Sequence, residues 1–209
     1  MHANHLSSID HIPLNYFDVV VLVTVLIGAK MGRKHGMSEE IMGVLQWVAI
    51  IFAGAFLYRP LGDKLALSSP ISHLFCYITI YVATAIVTKI AFSLLTKSMG
   101  GKLMGSDVFG GAEYYLGMVA GAVRYSCMLL AVLAILNAPY YSKQDVSAAQ
   151  AFQNDVYGSN FFPELSSVQQ EVFKDSMVGS LIKKRASIML IASTKKETVA
   201  IKRRKDDLP

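Results

Sequence analysis

Four long apolar runs, separated by short polar stretches, occupy most of the chain before residue 140. They cover residues 16–31, 41–58, 71–95 and 112–138. A helix needs about 20 mostly apolar residues to cross a bilayer, and backbone groups in hydrocarbon must find hydrogen-bond partners within their own segment. The pattern therefore predicts an all-α fold, a polytopic membrane helical bundle with about four transmembrane helices.

A capping residue and three prolines mark the ends of these runs. Ser38 precedes the second run and is predicted to be the N-cap of its helix. Pro60 is predicted to end the same helix, because proline cannot continue the hydrogen-bond pattern. Pro70 lies just before the third run, where a proline fits the first helical turn, and Pro139 follows the fourth.

The chain after the fourth run has a different character. Its apolar positions between residue 164 and about residue 193 recur at spacings of three and four, which predicts an amphipathic helix. This helix is expected to lie in the membrane interface or to pack against the bundle or a partner. The predicted organisation is a short N-terminal segment (1–15), a transmembrane domain (16–140), a polar linker with the amphipathic helix (141–193) and a basic, disordered tail (194–209).

Composition and charge agree with a membrane region that carries a basic tail. Of the 209 residues, 53% are hydrophobic and 17% are charged, and the net charge is +5. Soluble domains carry about 25% charged residues. The basic tail is expected to meet anionic lipid headgroups, at roughly 1 kcal/mol per Lys or Arg near the surface. A solvated charge run is the alternative, and nucleic acid is not expected as a partner beside transmembrane helices.

Basic residues also bear on membrane orientation. Lys30, Arg33 and Lys34 flank the first loop, and Lys97 and Lys102 lie around the third. The positive-inside rule then places these two loops in the cytoplasm and both termini outside. The basic tail argues for the opposite orientation.

The sequence lacks the motifs of common catalytic sites. It contains no HExxH, no GxSxG and no P-loop GxxxxGKS/T. Cys76 and Cys127 lie in apolar runs without CxxC spacing, which is typical of small packing residues. His35 and His73 lie near predicted membrane borders, where an interfacial histidine is a simpler interpretation than a metal ligand. We therefore predict no catalytic residue, no cofactor and no metal, and expect the protein not to be an enzyme.

Glycines recur at a four-residue spacing in two of the predicted helices. Gly28, Gly32 and Gly36 run from the first helix into the loop, and Gly117 and Gly121 repeat the spacing in the fourth. Small residues on one helix face let two backbones approach closely in lipid. The pattern predicts helix packing within the bundle, with contact between copies in a homo-oligomer as the alternative.

Charged residues inside the apolar runs are the candidates for a functional role. Asp18 and Lys89 lie near predicted helix ends and can snorkel to the interface. Arg124 lies deep in its run, where a charge usually faces a partner or a water-filled cavity. Glu40 and Glu113 are its natural partners on the same predicted side. We hypothesise a Glu40–Arg124 pair, which either fixes helix register or serves transport.

The order and spacing of these residues resemble the colicin V production protein (CvpA) family over residues 15–165. The family's second half has a Leu-Gly, a further glycine and an arginine, which resemble residues 116–125, LGMVAGAVRY. Residues 159–163, SNFFP, are similar to the family's motif after the membrane region. The residues that carry the resemblance are Asp18, Gly36, Glu40, Trp47, Leu116, Gly117, Gly121 and Arg124.

The chain departs from the family pattern at two positions near Arg124. Tyr114 stands where a basic residue is usual before the Leu-Gly, and Tyr125 stands where a glycine often follows the arginine. Either change alters the volume available for helix packing around Arg124.

The resemblance implies a multi-pass protein of the bacterial inner membrane without enzymatic activity. It implies a link to colicin V or toxin production, by way of export or envelope maintenance. The partners would be other membrane or secretion proteins, and a homo-oligomer is a further possibility. A small oligomeric channel or transporter is the alternative, supported by Asp18, Lys89 and Arg124 within apolar runs. An intramembrane enzyme is a third hypothesis, which the absent motifs disfavour.

Overall fold

The computed structural model describes residues 15–69, 71–99, 110–141, 146–147, 151–152, 154–155 and 165–195. The described residues exclude most of the N-terminal segment, Pro70, Lys102, most of the polar linker including residues 159–163, and the tail from residue 196 onward. The long helices are α1 (Tyr16–His35), α2 (Met37–Ser68), α3 (His73–Met99) and α4 (Glu113–Leu136), which follows a 3₁₀ turn at Gly110–Ala112. After them come β1 (Pro139–Tyr140), α5 (Leu165–Gln170), a π-helical turn (Glu171–Asp175), α6 (Met177–Arg185), a 3₁₀ turn (Ser187–Met189) and β2 (Thr194–Lys195).

The long helices form an antiparallel bundle in which sequence neighbours are not always the closest pairs. α1 packs mainly against α4, and α2 contacts both α3 and α4. We call one end of the bundle the Gly36 end, because α1 ends there and α2 and α4 begin. We call the other end, where α1 begins and α4 ends, the Asp18 end.

Glycines bring α1 and α4 into backbone contact. A Cβ atom at Gly32 would overlap the carbonyl oxygen of Gly117, and one at Gly121 would overlap the carbonyl oxygen of Gly28. The four glycines are buried between the two helices. The structure therefore uses these residues for packing within the chain, which was the first of the two interpretations of their spacing.

The prediction that Pro60 ends the second helix is wrong, because α2 continues through it to Ser68. Proline removes one helical hydrogen bond, but contacts with α3 hold the turns that follow. Gly62 lies against the ring of Tyr77, and the Tyr77 hydroxyl donates to Asp63 Oδ1 at 2.5 Å. The rings of Tyr58 and Tyr77 also meet edge to face, with centroids 5.5 Å apart. Tertiary packing therefore outweighs the local preference at Pro60.

Three helical stretches among the described residues are long and apolar enough to cross a membrane: Met37–Ser68, His73–Ser98 and Gly110–Leu136. Their outward surfaces are apolar, as expected for contact with lipid, and Val87 and Val119 are 65% and 62% exposed. The predicted all-α helical bundle of a multi-pass membrane protein is confirmed.

The first helix does not meet the same criterion. α1 is 20 residues long, with Asp18 in its first turn and Arg33 and Lys34 in its last. These charges leave too short an apolar stretch for α1 to count among the candidate spans. A fourth crossing is therefore not shown.

The prediction of one amphipathic helix over residues 164–193 is wrong in detail. The C-terminal segment, residues 165–195, is divided into α5, the π-helical turn, α6 and a 3₁₀ turn. Ser176 interrupts the helix with an extended backbone (φ −90°, ψ 139°). Of the three expected locations, the structure shows packing against the bundle: Phe173 and Ile191 are buried in one cluster with Leu133 and Tyr58.

The close glycine contact yields a stability prediction. We expect Gly121→Ala to lower the free energy of unfolding by about 1–3 kcal/mol, because the new methyl group must push α1 away from α4. Reversible SDS unfolding in mixed micelles, followed by circular dichroism, would measure the change. Gly111→Ala is the matched control, since nothing lies within 4 Å of its added Cβ. Equal stability of the two variants would contradict the packing role.

Candidate functional site

The junction between α1 and α2 is built on Gly36. This residue has φ +80° and ψ 169°, a conformation that suits glycine. Its N–H donates to the carbonyl oxygen of Gly32 at 2.9 Å and so closes α1. A side chain here would also meet the carboxylate of Glu113, whose Oε1 lies 2.9 Å from the position of a Cβ. Gly36 therefore allows α1, α2 and α4 to meet at one point.

Glu113 supplies the missing cap of α2. The structure places Gly36 at the N-cap, and Ser38 lies inside the first turn, so the prediction of a Ser38 N-cap is wrong. Glycine has no side chain to accept hydrogen bonds from the first turn. Glu113 Oε1, at the start of α4, instead accepts the backbone N–H of Ser38 at 2.7 Å. A carboxylate at this position also interacts favourably with the positive end of the helix dipole.

Glu40 is the most deeply buried charged residue described. It is only 1% exposed, and both of its carboxylate oxygens have a partner. Nη1 of Arg124 donates to Oε2 at 3.0 Å, and Nδ1 of His35 lies 3.1 Å from Oε1. Gly43 makes room for the arginine, since a Cβ there would lie 3.2 Å from its side-chain atoms. The structure thus brings the hypothesised Glu40–Arg124 pair together, while Glu113 bonds to Ser38.

Some polar atoms at the Gly36 end have no hydrogen-bond partner among the described residues. They are Nε of Arg124 and Oε2 of Glu113, both buried. Trp47 is half-buried in α2 and takes part in neither the Glu40 contacts nor the α2 cap. Lys89 is exposed on α3, as a snorkelling lysine requires.

Asp18 organises the opposite end of the bundle. The prediction that it snorkels to the interface is wrong, since it is only 7% exposed. Its Oδ1 accepts from Ser176 Oγ at 2.7 Å and from the N–H of Val178 at 3.0 Å. Its Oδ2 accepts from the N–H groups of Asn15 at 3.1 Å and Met177 at 3.2 Å. One carboxylate therefore caps the N-termini of both α1 and α6, which are far apart in sequence.

Further hydrogen bonds fasten the rest of the C-terminal segment to the bundle. Asn137 donates from Nδ2 to the carbonyl oxygen of Ile191 at 2.9 Å, and Ser193 Oγ donates to the carbonyl oxygen of Asn137 at 2.8 Å. The N–H of Ala192 donates to the Tyr58 hydroxyl at 3.1 Å. β1 and β2 add a short parallel pairing. The sequence alone does not identify these residues, because their partners are distant and no local pattern signals them.

The described residues contain no arrangement that suits a metal ion. No group of three or more His, Cys, Asp or Glu side chains lies close enough together among them. Cys76 and Cys127 are both free thiols, the first buried and the second partly so. Among these residues, the carboxylates of Glu40 and Asp18 bond to other parts of the protein.

Comparison with known protein families places most of the chain in a described family. A family model described as "Colicin V production protein" matches residues 17–170, which is more than half of the chain. The matched range includes Asp18, Glu40 and Arg124, and ends before Ser176. No curated protein and no solved structure matches the chain.

The Glu40–Arg124 contact predicts a large effect of removing the arginine. We expect Arg124→Ala to lower the free energy of unfolding by about 2–4 kcal/mol, because it leaves a buried carboxylate with only His35 as a partner. SDS unfolding in mixed micelles would measure the loss. Arg33→Ala, which removes an exposed arginine at the same end, is the control. If Arg124→Ala were as stable as Arg33→Ala, a structural role of the Glu40–Arg124 pair would be excluded.

The Asp18 cluster predicts local release of the C-terminal segment. We expect Asp18→Ala to lower the free energy of local opening at the amides of Met177 and Val178 by about 2–3 kcal/mol, because hydrogen bonds to a charged group are lost. Hydrogen exchange at these amides would then be roughly 30- to 150-fold faster. Hydrogen exchange with mass spectrometry would follow residues 171–185. Asp175→Ala changes an exposed aspartate of the same segment and should leave the exchange unaltered. Unchanged protection in Asp18→Ala would show that another contact holds the segment.

Proposed function

The chain belongs to the colicin V production protein family, and from this membership and its bundle we propose a role in toxin production. In this proposal the protein lies in the bacterial inner membrane and is not an enzyme. It assists export or maintains the envelope through contacts with other membrane or secretion proteins.

The observation that carries this proposal is that the buried charged side chains bond to other parts of the same chain. Both carboxylate oxygens of Glu40 bond to side chains of α1 and α4. The carboxylate of Asp18 accepts hydrogen bonds from backbone and side-chain donors at the start of α1 and in the C-terminal segment. In transport proteins, intramembrane charges characteristically face a water-filled cavity or the substrate path. Here they hold the helices of the chain to one another, which supports a structural role for the charges in a stable bundle.

Exposed apolar side chains on the C-terminal segment offer a surface for contacts beyond the bundle. Leu181 and Ile188 are 55% and 80% exposed, although the segment itself is docked. Lys183, Lys184 and Arg185 follow one another in the same region. Apolar residues beside cations suit an anionic membrane surface or a protein partner held against it.

A small oligomeric channel or transporter is the second candidate function. It is favoured by the buried Nε of Arg124 and Oε2 of Glu113, which have no partner among the described residues and could bind water or a solute. Four helices are few for a complete pathway, so this function would need several copies of the chain. It predicts solute flux in proteoliposomes that depends on Arg124.

Chemical crosslinking in native membranes tests the proposal. The tagged full-length protein would be crosslinked, captured and analysed by mass spectrometry, beside Arg124→Ala and Arg33→Ala. We expect a foreign membrane or secretion protein to be captured with the wild type and with Arg33→Ala, and to be lost with Arg124→Ala because the bundle is weakened. Crosslinks to copies of the chain alone, together with flux in proteoliposomes, would contradict the proposal and favour the channel.

A further inference from the structure

An open cavity of about 730 Å³ lies at the Gly36 end, where the last turns of α1 meet the start of α4. The three basic residues of its lining occupy positions i, i+3 and i+4 of α1, and therefore share one side of that helix. α4 contributes two tyrosines that are 61% and 71% exposed. The lining residues are Lys30, Met31, Arg33, Lys34, Tyr114 and Tyr115.

The charge of this cavity is positive. No acidic side chain lines it among the residues that the structure describes. The nearest acid in sequence, Glu113, has Oε1 engaged by the N–H of Ser38. The N-terminus of α4 adds a positive partial charge of its own on the same side. An anion would thus meet three cations, and tyrosine hydroxyls could donate hydrogen bonds to it.

A separate apolar groove of about 370 Å³ lies further along α4. Tyr115, Val119, Ala122 and Ser126 follow the spacing i, i+4, i+7 and i+11, so the cavity and the groove share one outward face of the helix. The groove begins roughly 6 Å from Tyr115 along the axis and extends beyond about 16 Å, at 1.5 Å per residue. Its lining residues are Val119, Ala122, Val123, Ser126, Cys127 and Leu130.

We propose that this face of the protein binds one anionic phospholipid. The phosphate lies among Lys30, Arg33 and Lys34 at the membrane surface, with the two tyrosines at headgroup level. An acyl chain lies in the groove along Val119 and Ala122. Charge complementarity selects an anion, and the apolar groove at the depth of the acyl chains selects a lipid over a soluble phosphate. The site is separate from the basic tail and independent of the proposed role in toxin production.

Lipid selectivity of the full-length protein tests this site. Electron paramagnetic resonance with spin-labelled lipids would compare the association of phosphatidylglycerol and phosphatidylcholine with the reconstituted protein. We expect a preference for phosphatidylglycerol that falls by about tenfold or more in the triple variant K30Q/R33Q/K34Q, because each cation near the surface attracts the headgroup. The matched control K64Q/K97Q/K174Q removes three exposed cations elsewhere and should keep the preference. An unchanged preference in the first variant, or an equal loss in both, would overturn the proposal.

Two measurements on the wild-type protein avoid any effect of substitution on folding. A phosphatidylglycerol with a photoreactive acyl chain should crosslink residues 119–130 more than the matching phosphatidylcholine does, and equal labelling by the two lipids would overturn the proposal. Millimolar glycerol 3-phosphate should leave the spin-labelled phosphatidylglycerol bound. Displacement by this soluble phosphate would instead identify a site for a free phosphate compound.

Discussion

The close approach of α1 and α4 is the contact on which both polar ends of the protein depend. Gly32 and Gly117 face each other without side chains, so the two backbones meet directly. One consequence is that Gly36 reaches Glu113, whose carboxylate then caps α2. Because α2 starts at this fixed point and packs on α4, Glu40 comes within reach of Arg124. At the opposite end the same antiparallel pair places Asp18 beside the chain that follows α4.

The charged residues of the bundle are best understood through the cost of burying them. An unpaired carboxylate in a water-poor interior is strongly unfavourable, whereas a paired and hydrogen-bonded one is nearly neutral. Glu40 and Asp18 both follow this rule, and each joins parts of the chain that lie far apart in sequence. These two hydrogen-bonded carboxylates therefore contribute more to the specificity of helix packing than to the net free energy of folding. Glu40 fixes α2 against α1 and α4, and Asp18 fixes the C-terminal segment against α1.

Hydrophobic run lengths predicted the helical bundle correctly, because apolar length and helical hydrogen bonding are local properties. The Glu40–Arg124 contact could also be foreseen, since both residues lie at similar predicted depth on the same side. Two features could not, because each depends on distant partners. α2 passes Pro60 owing to contacts with Tyr77. The C-terminal segment breaks at Ser176, where its hydroxyl binds Asp18.

We propose that the Glu40–Arg124 pair holds the bundle together and has no direct part in function. The most direct test replaces both residues by methionine, since a buried ion pair exchanged for apolar side chains often keeps its stability. The double variant would be assayed for SDS unfolding and for restoring toxin production to cells that lack the wild-type protein. We expect stability within about 1 kcal/mol of the wild type and restored production. A double variant that is as stable as the wild type but restores nothing would show that the charges themselves are required, and would overturn this proposal.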